Sequence, residues 1–141
     1  MHIRPFEPGD EEAVIALWRR CDLLRPWNDP HRDIRRKMRV GADLFLVGVL
    51  DGVIVAAVMA GYDGHRGAIN YLGVDPDRRR QGLGRALMAE AERRLLAAGC
   101  PKINLLVRTT NRDVLAFYRA LGYAADEVVQ LGKRLESDEP A

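Results

Sequence analysis

An apolar strand over residues 68–74, an Asp75-Pro76 turn, a helix over residues 82–98 and a second apolar strand over residues 103–107 follow one another without interruption. That succession constrains the fold more than any other feature. Two strands joined through a helix lie parallel in one sheet with a right-handed crossover, which excludes all-helical and purely antiparallel architectures. Leu83, Leu87, Ala91, Leu95 and Ala98 form the buried stripe of the helix, and Gly99 followed by Pro101 stops it. The run over residues 103–107 has the composition of a strand covered on both faces.

The junction within this unit reads Leu72-Gly73-Val74-Asp75-Pro76-Asp77-Arg78-Arg79-Arg80-Gln81-Gly82-Leu83-Gly84-Arg85. Glycine lets the main chain approach a ligand, and a new helix leaves its first N–H donors unpaired, so this loop is suited to a pyrophosphate. A Gly-x-Gly by itself also fits an ordinary strand-to-helix turn. The strand before it, the helix after it and the arginines around it favour the ligand. Arg80 and Arg85 are the stronger candidates of the basic run, and the other basic cluster, residues 32–39, reads as a solvated helix face.

Elsewhere the order is strand, two helices and a meander of three strands, then, after the unit just described, a helix and a last strand. Residues 3–6 make a short strand. Asp10 is expected to cap a helix whose apolar residues are Ala13, Val14, Leu17, Trp18 and Cys21, and Asn28 or Asp29 before Pro30 starts a second helix reaching Met38. Residues 44–50 and 53–60, joined by Asp51-Gly52, form a hairpin. A helix opens after Asn111 with Val114, Leu115, Phe117, Tyr118 and Leu121 on its apolar face, Gly122 ends it, and residues 128–131 make the last strand. The fold class is therefore α/β with a mixed sheet.

At 141 residues, 48% of them hydrophobic, the chain is expected to form one domain over residues 1–135 followed by a disordered acidic tail over residues 136–141. Cys21 and Cys100 have neither metal-ligand spacing nor a disulfide framework, so no metal is expected. No apolar run nears the roughly 20 residues that span a bilayer, and the start Met-His-Ile-Arg-Pro-Phe is not a signal peptide, so the expectation is a cytoplasmic protein without a membrane partner. A net charge of +2 argues against nucleic acid and for small partners.

The motifs resemble those of the GCN5-related N-acetyltransferases, the GNAT family, over nearly the whole chain. Arg79-Arg80-Gln81-Gly82-Leu83-Gly84 is similar to the family's Arg/Gln-x-x-Gly-x-Gly/Ala acetyl-CoA signature. Asn111 with Phe117-Tyr118-Arg119-Ala120-Leu121-Gly122-Tyr123 resembles its second motif, an asparagine opening a helix that carries a tyrosine before a Leu-Gly-aromatic ending. Residues 21–30 and 61–67 resemble, more narrowly, one bacterial member.

The resemblance implies a mostly antiparallel sheet whose parallel pair splays apart to admit the pantetheine arm of acetyl-CoA, with flanking helices. Leu72, Gly73 and Val74 would line that arm, and Leu72 would also donate its N–H to the reacting oxygen. Arg79, Arg80, Gln81, Gly82, Leu83, Gly84 and Arg85 would hold the phosphates, Asn111 would touch the cofactor as well as cap its helix, and Tyr118 would be the general acid toward the departing thiolate. On its own, Tyr118 also reads as a core aromatic. The implied activity is acetyl transfer from acetyl-CoA to a primary amine of a small molecule or protein by direct attack, without metal or covalent enzyme intermediate.

The ribosomal-protein acetyltransferases of the family carry a glutamate at the position of Leu106, so the resemblance supplies no base. Asp63, His65, Asn70 and Tyr71 are the replacements within reach, and deprotonation through ordered water or a weakly basic acceptor is the alternative. Leu106 also keeps a second reading open, a non-catalytic acetyl-CoA or coenzyme A sensor. Residues 23–29 and 62–66 are expected to flank the acceptor, where Arg25 and Trp27 could orient a carboxylate or stack on an apolar group or else pack the helix connection, the reading favoured for Trp27. The last strand offers an edge for a homodimer.

Overall fold

A computed structural model describes residues 1–140, which cluster into two compact units, residues 1–105 with the segment from Asp138, and residues 106–137. The first unit holds β1 (His2–Pro5), α1 (Glu11–Arg20), α2 (Pro30–Arg39), β2 (Phe45–Leu50), β3 (Val53–Tyr62), β4 (Gly67–Val74), α3 (Leu83–Ala97) and β5 (Ile103–Leu105). The sheet order is β1-β2-β3-β4-β5, antiparallel as far as β4 and parallel between β4 and β5. This is the expected mixed α/β architecture.

Asp51 and Gly52 both have positive φ, 52° and 76°, the backbone twist a two-residue hairpin turn needs. Phe45, Val47, Ala57 and Met59 pack with Val14, Ile15, Leu17 and Trp18 of α1 and Ile34 of α2 on one sheet face. Leu46, Ala56, Val58 and Ala60 alternate to the opposite face, where α3 contributes Leu87, Met88, Ala91 and Leu95. With both faces covered, β2 and β3 lose the alternating polar pattern of a one-sided sheet. On α1 Ile15 is buried in place of the expected Ala13, which is exposed, and at the α3 ends Leu83 is half-buried and Ala98 exposed, so the α1 stripe is shifted and the α3 stripe shorter than expected.

Several local expectations change. Asp10 stands at the start of α1, yet its carboxylate accepts from Arg4 and from Glu7 N–H, closing the preceding 3-10 turn instead of capping α1. Asp29 does cap α2, accepting from His31 and Arg32 N–H at 2.9 and 3.3 Å. β5 spans three residues instead of five and is only half-covered, because it is an edge strand with β4 as its neighbour in the sheet. Residues 128–131 form no strand, and Val128, Val129 and Leu131 are 78%, 85% and 90% exposed. Strand propensity is a preference for a paired, half-buried surface, and this segment has no ladder.

The second unit contains α4 (Arg112–Ala120). Asp138, in the segment expected to be a disordered tail, is buried against Arg36; Ala141, the end of that segment, lies outside the described residues. No helix among the described residues is long and apolar enough to cross a membrane.

Candidate functional site

β4 changes register halfway along. Asn70 pairs with Met59 and Gly73 with Ala57, so Tyr71 and Leu72 together oppose Val58, and Tyr71 takes a φ of +52°. That is a β-bulge, which takes backbone groups out of the ladder and re-aims them. The parallel pairing to β5 ends at Ile69 with Leu105, so from Asn70 to Val74 the other side of β4 runs on without β5 beside it. Leu72, Gly73 and Val74, expected to line the pantetheine arm, lie in this stretch. A Cβ on Gly73 would lie 3.2 Å from both Cys21 Sγ and Leu23 Cδ1, so a side chain here would push these two neighbours back by a few tenths of an ångström. Cys21 Sγ donates to the Val74 carbonyl at 3.2 Å, and burial pushes its thiol pKa up, which keeps it protonated.

The loop after β4 is braced from behind. Asp75 N–H donates to Val55 O at 2.7 Å, while its carboxylate accepts Asp77 N–H at 3.0 Å and pairs with Arg20 Nη2 of α1 at 2.8 Å. Arg80 and Gly82 then take φ of +64° and +75° and swing the chain into α3. The first α3 bond runs from Ala86 N–H to Gly82 O, so the N–H groups of Leu83, Gly84 and Arg85 lie ahead of the helical ladder. No side chain caps this end, and no acid stands in its first turn. Arg79, Arg80, Gln81 and Arg85 are exposed around it. Three N–H donors, a helix dipole and three guanidiniums directed at solvent can receive a polyanion.

In the second unit Asn111 caps α4, its side chain accepting Val114 N–H at 3.4 Å. Tyr118 is the one buried residue of α4, 7% exposed, with Phe117 and Tyr123 edge-on at 5.1 and 5.5 Å. Burial pushes its phenol up to about 12, so it is a proton donor at every physiological pH. Leu106 is 69% exposed.

The four candidate bases separate clearly. Asp63 is a turn residue: Arg66 and His65 N–H donate to its carboxylate at 2.8 and 2.7 Å and hold its pKa below the usual range. His65 is exposed in the same turn. Tyr71 stacks on Trp18 with ring centroids 4.0 Å apart and donates its hydroxyl to Asp33 Oδ2 at 2.6 Å; burial and then that carboxylate push its pKa far up, which removes it as a base. Asn70, exposed on β4, has no basic group. Arg25 Nη1 is engaged by the Asp22 and Leu24 carbonyls at 2.9 Å each, and Trp27 is 45% exposed instead of packing the connection.

Sequence reasoning missed Asp33, Arg36 and the Arg20–Asp75 brace. Asp33 and Arg36 stand one helical turn apart, a spacing visible in the sequence, but their partners Tyr71 and Asp138 lie 38 and 102 residues away.

Residues 12–123 match the model of the Acetyltransferase (GNAT) family. An acetyltransferase of Pectobacterium atrosepticum is 54% identical over 138 residues, covering 98% of each chain. The ribosomal-protein-S18-alanine N-acetyltransferase of Escherichia coli superposes with a TM-score of 0.73 at 25% identity, covering 86% of this chain and 76% of its own. AAC(6')-Iy, in complex with the bisubstrate analogue CoA-S-monomethyl-acetylneamine, gives a TM-score of 0.77 at 19% identity over 94% and 97% of the two chains.

Proposed function

The chain belongs to the GNAT family of acetyltransferases, and from that premise we propose that it transfers an acetyl group from acetyl-CoA to a primary amine by direct attack. The observation that carries this reading is the continuity of the Tyr71 bulge, the unpaired stretch of β4 and the uncapped start of α3 in one segment of chain. A thioester needs a donor for its oxygen, a strand edge for its amide-bearing arm and an anion site for its diphosphate, and residues 70–85 present these in that order. The coenzyme A analogue bound by AAC(6')-Iy supports the same cosubstrate.

The residues then divide the work. Leu72, Gly73 and Val74 offer main-chain groups to the pantetheine arm, and Leu72 N–H, beside the bulge, stabilises the oxygen as it gains charge. Arg79, Arg80, Gln81, Gly82, Leu83, Gly84 and Arg85 hold the phosphates, and Asn111 sets the start of the helix that carries Tyr118. Tyr118 donates to the departing sulfur. With the phenol at about 12 and a free thiol near 8.5, complete proton transfer is uphill by about 5 kcal/mol, so a strong hydrogen bond is its contribution. Asp63, Asn70 and Tyr71 are removed as bases and His65 stands in an exposed turn, so the amine loses its proton through water. An α-amine gives it up at a cost of about 1 kcal/mol at pH 7 against about 4.6 for a lysine side chain, which favours weakly basic acceptors.

Amine-dependent thiol release from acetyl-CoA, measured across a panel of amines, tests this reading. Release that depends on both amine and Tyr118 is the expected result. Tight acetyl-CoA binding with no release by any amine would favour the sensor reading that Leu106 keeps open.

A further inference from the structure

Arg36 forms the centre of a carboxylate socket. Its Nη2 lies 2.6 Å from Asp138 Oδ1 and its Nη1 3.0 Å from Oδ2, a fork-on-carboxylate pair. Asp29 N–H adds a third donor to Oδ2 at 3.0 Å, and Arg32 Nη1 stands 3.8 Å from Oδ1. The Asp138 side chain is wholly inaccessible, whereas residues 124–137, the chain that leads to it, are all exposed. The Asp138 carboxylate thus sits in a site lined by two arginines and a helix start.

The socket is wired to the β4 bulge. Arg36 Nη1 also donates to Asp33 Oδ1 at 3.2 Å, and Asp33 Oδ2 accepts the Tyr71 hydroxyl at 2.6 Å. Tyr71 is the bulge residue itself, and the next N–H is that of Leu72. Two side chains therefore separate the socket from the proposed acyl position. Asp29 stands 3.8 Å from Arg32 and Asp33 3.2 Å from Arg36, and a ligand carboxylate would meet the same donors that Asp138 meets.

We propose that this socket is the acceptor's carboxylate subsite, that the acceptor is an amine of amino-acid size bearing a carboxylate, and that Asp138 occupies the subsite between turnovers as a tethered competitor. The inference rests on the acetyl-transfer reading. A tethered acid competes at an effective concentration set by its linker, of order millimolar for short flexible chains, so it raises the apparent KM for carboxylate-bearing acceptors and leaves an amide analogue without the subsite in either case.

The test compares the common amino acids with their amides as acceptors, using the full chain. In Asp138→Asn the ratio of kcat/KM for acid over amide rises at least fivefold, through KM, and Arg36→Gln removes the preference. A preference for the amides, or a ratio that Asp138→Asn leaves unchanged, overturns the proposal. Should Asp138→Asn fail to fold, titration of the unaltered chain with its best amino-acid acceptor decides: the Asp138 and Arg36 NMR resonances shift with saturation, and turnover that saturates while they stay fixed overturns it. Retained acetyl-CoA binding with no use of any amino acid sinks this inference alone, whereas loss of acetyl-CoA binding by the folded chain sinks the underlying function.

Discussion

Arg20 Nη2 lies 2.8 Å from Asp75 Oδ1, so the last turn of α1 holds the loop that delivers the start of α3. Replacing Asp75 with alanine removes this pair and the cap on Asp77 N–H, at a cost of about 1 kcal/mol for the cap, and weakens acetyl-CoA binding by loosening the loop. Asp77 N–H, then the Arg20 guanidinium, hold the Asp75 carboxyl below its ordinary value. Its contribution to stability is full above the unfolded carboxylate value of about 3.9 and is lost as pH falls through the lower folded value. Thermal melts taken between neutral pH and about pH 2 check this: Asp75→Asn flattens the acid limb.

Gly82 has a φ of +75° with no atom within 4 Å of where a Cβ would stand. Gly82→Ala therefore meets no clash and pays only the left-handed backbone penalty, about 1 kcal/mol. Chemical denaturation reads that loss. Because the same residue turns the α3 donors outward, relief of the strain by a flipped loop lowers acetyl-CoA affinity by about tenfold if some 1.4 kcal/mol of binding is forfeited.

Tyr118→Phe keeps the ring that packs between Phe117 and Tyr123 and deletes the donor. The expected result is a fall in kcat of about 100-fold with the KM for acetyl-CoA within a few-fold. Since burial raises the phenol to about 12, no descending limb from Tyr118 appears in the pH profile of the unaltered protein below about pH 11. Steady-state thiol release from pH 6 to 10 checks both statements.

Gly67 begins β4 where it pairs with β5, and a Cβ there would stand 2.7 Å from Cys100 Sγ. Gly67→Ala overpacks this contact and destabilises by about 1–3 kcal/mol. Cys100→Ala makes room, so the double variant is more stable than the sum of the two single losses predicts, a coupling that a double-mutant cycle by urea denaturation measures.

The parts of the fold legible in the sequence are those fixed by neighbours in the chain. Asp51-Gly52 announces its hairpin through backbone conformation, Asp29-Pro30 announces the start of α2, and the strand-to-helix passage through Gly82 places the uncapped start of α3. What was illegible depends on distant partners. Val128, Val129 and Leu131 have strand composition, but a strand exists only when another edge accepts it. The Tyr71 bulge arises from a register mismatch with Val58, invisible in either strand alone. Asp138 reads as part of a solvated acidic tail until Arg36 is seen around it.

Equilibrium dialysis of the folded protein against labelled acetyl-CoA tests the central claim, that main-chain donors between Val74 and Arg85 cradle the diphosphate of this thioester. One saturable site, weakened at least tenfold by Gly84→Val with the fold retained by circular dichroism, is the predicted result. Folded protein that retains no acetyl-CoA, or retains it equally well after Gly84→Val, would contradict it.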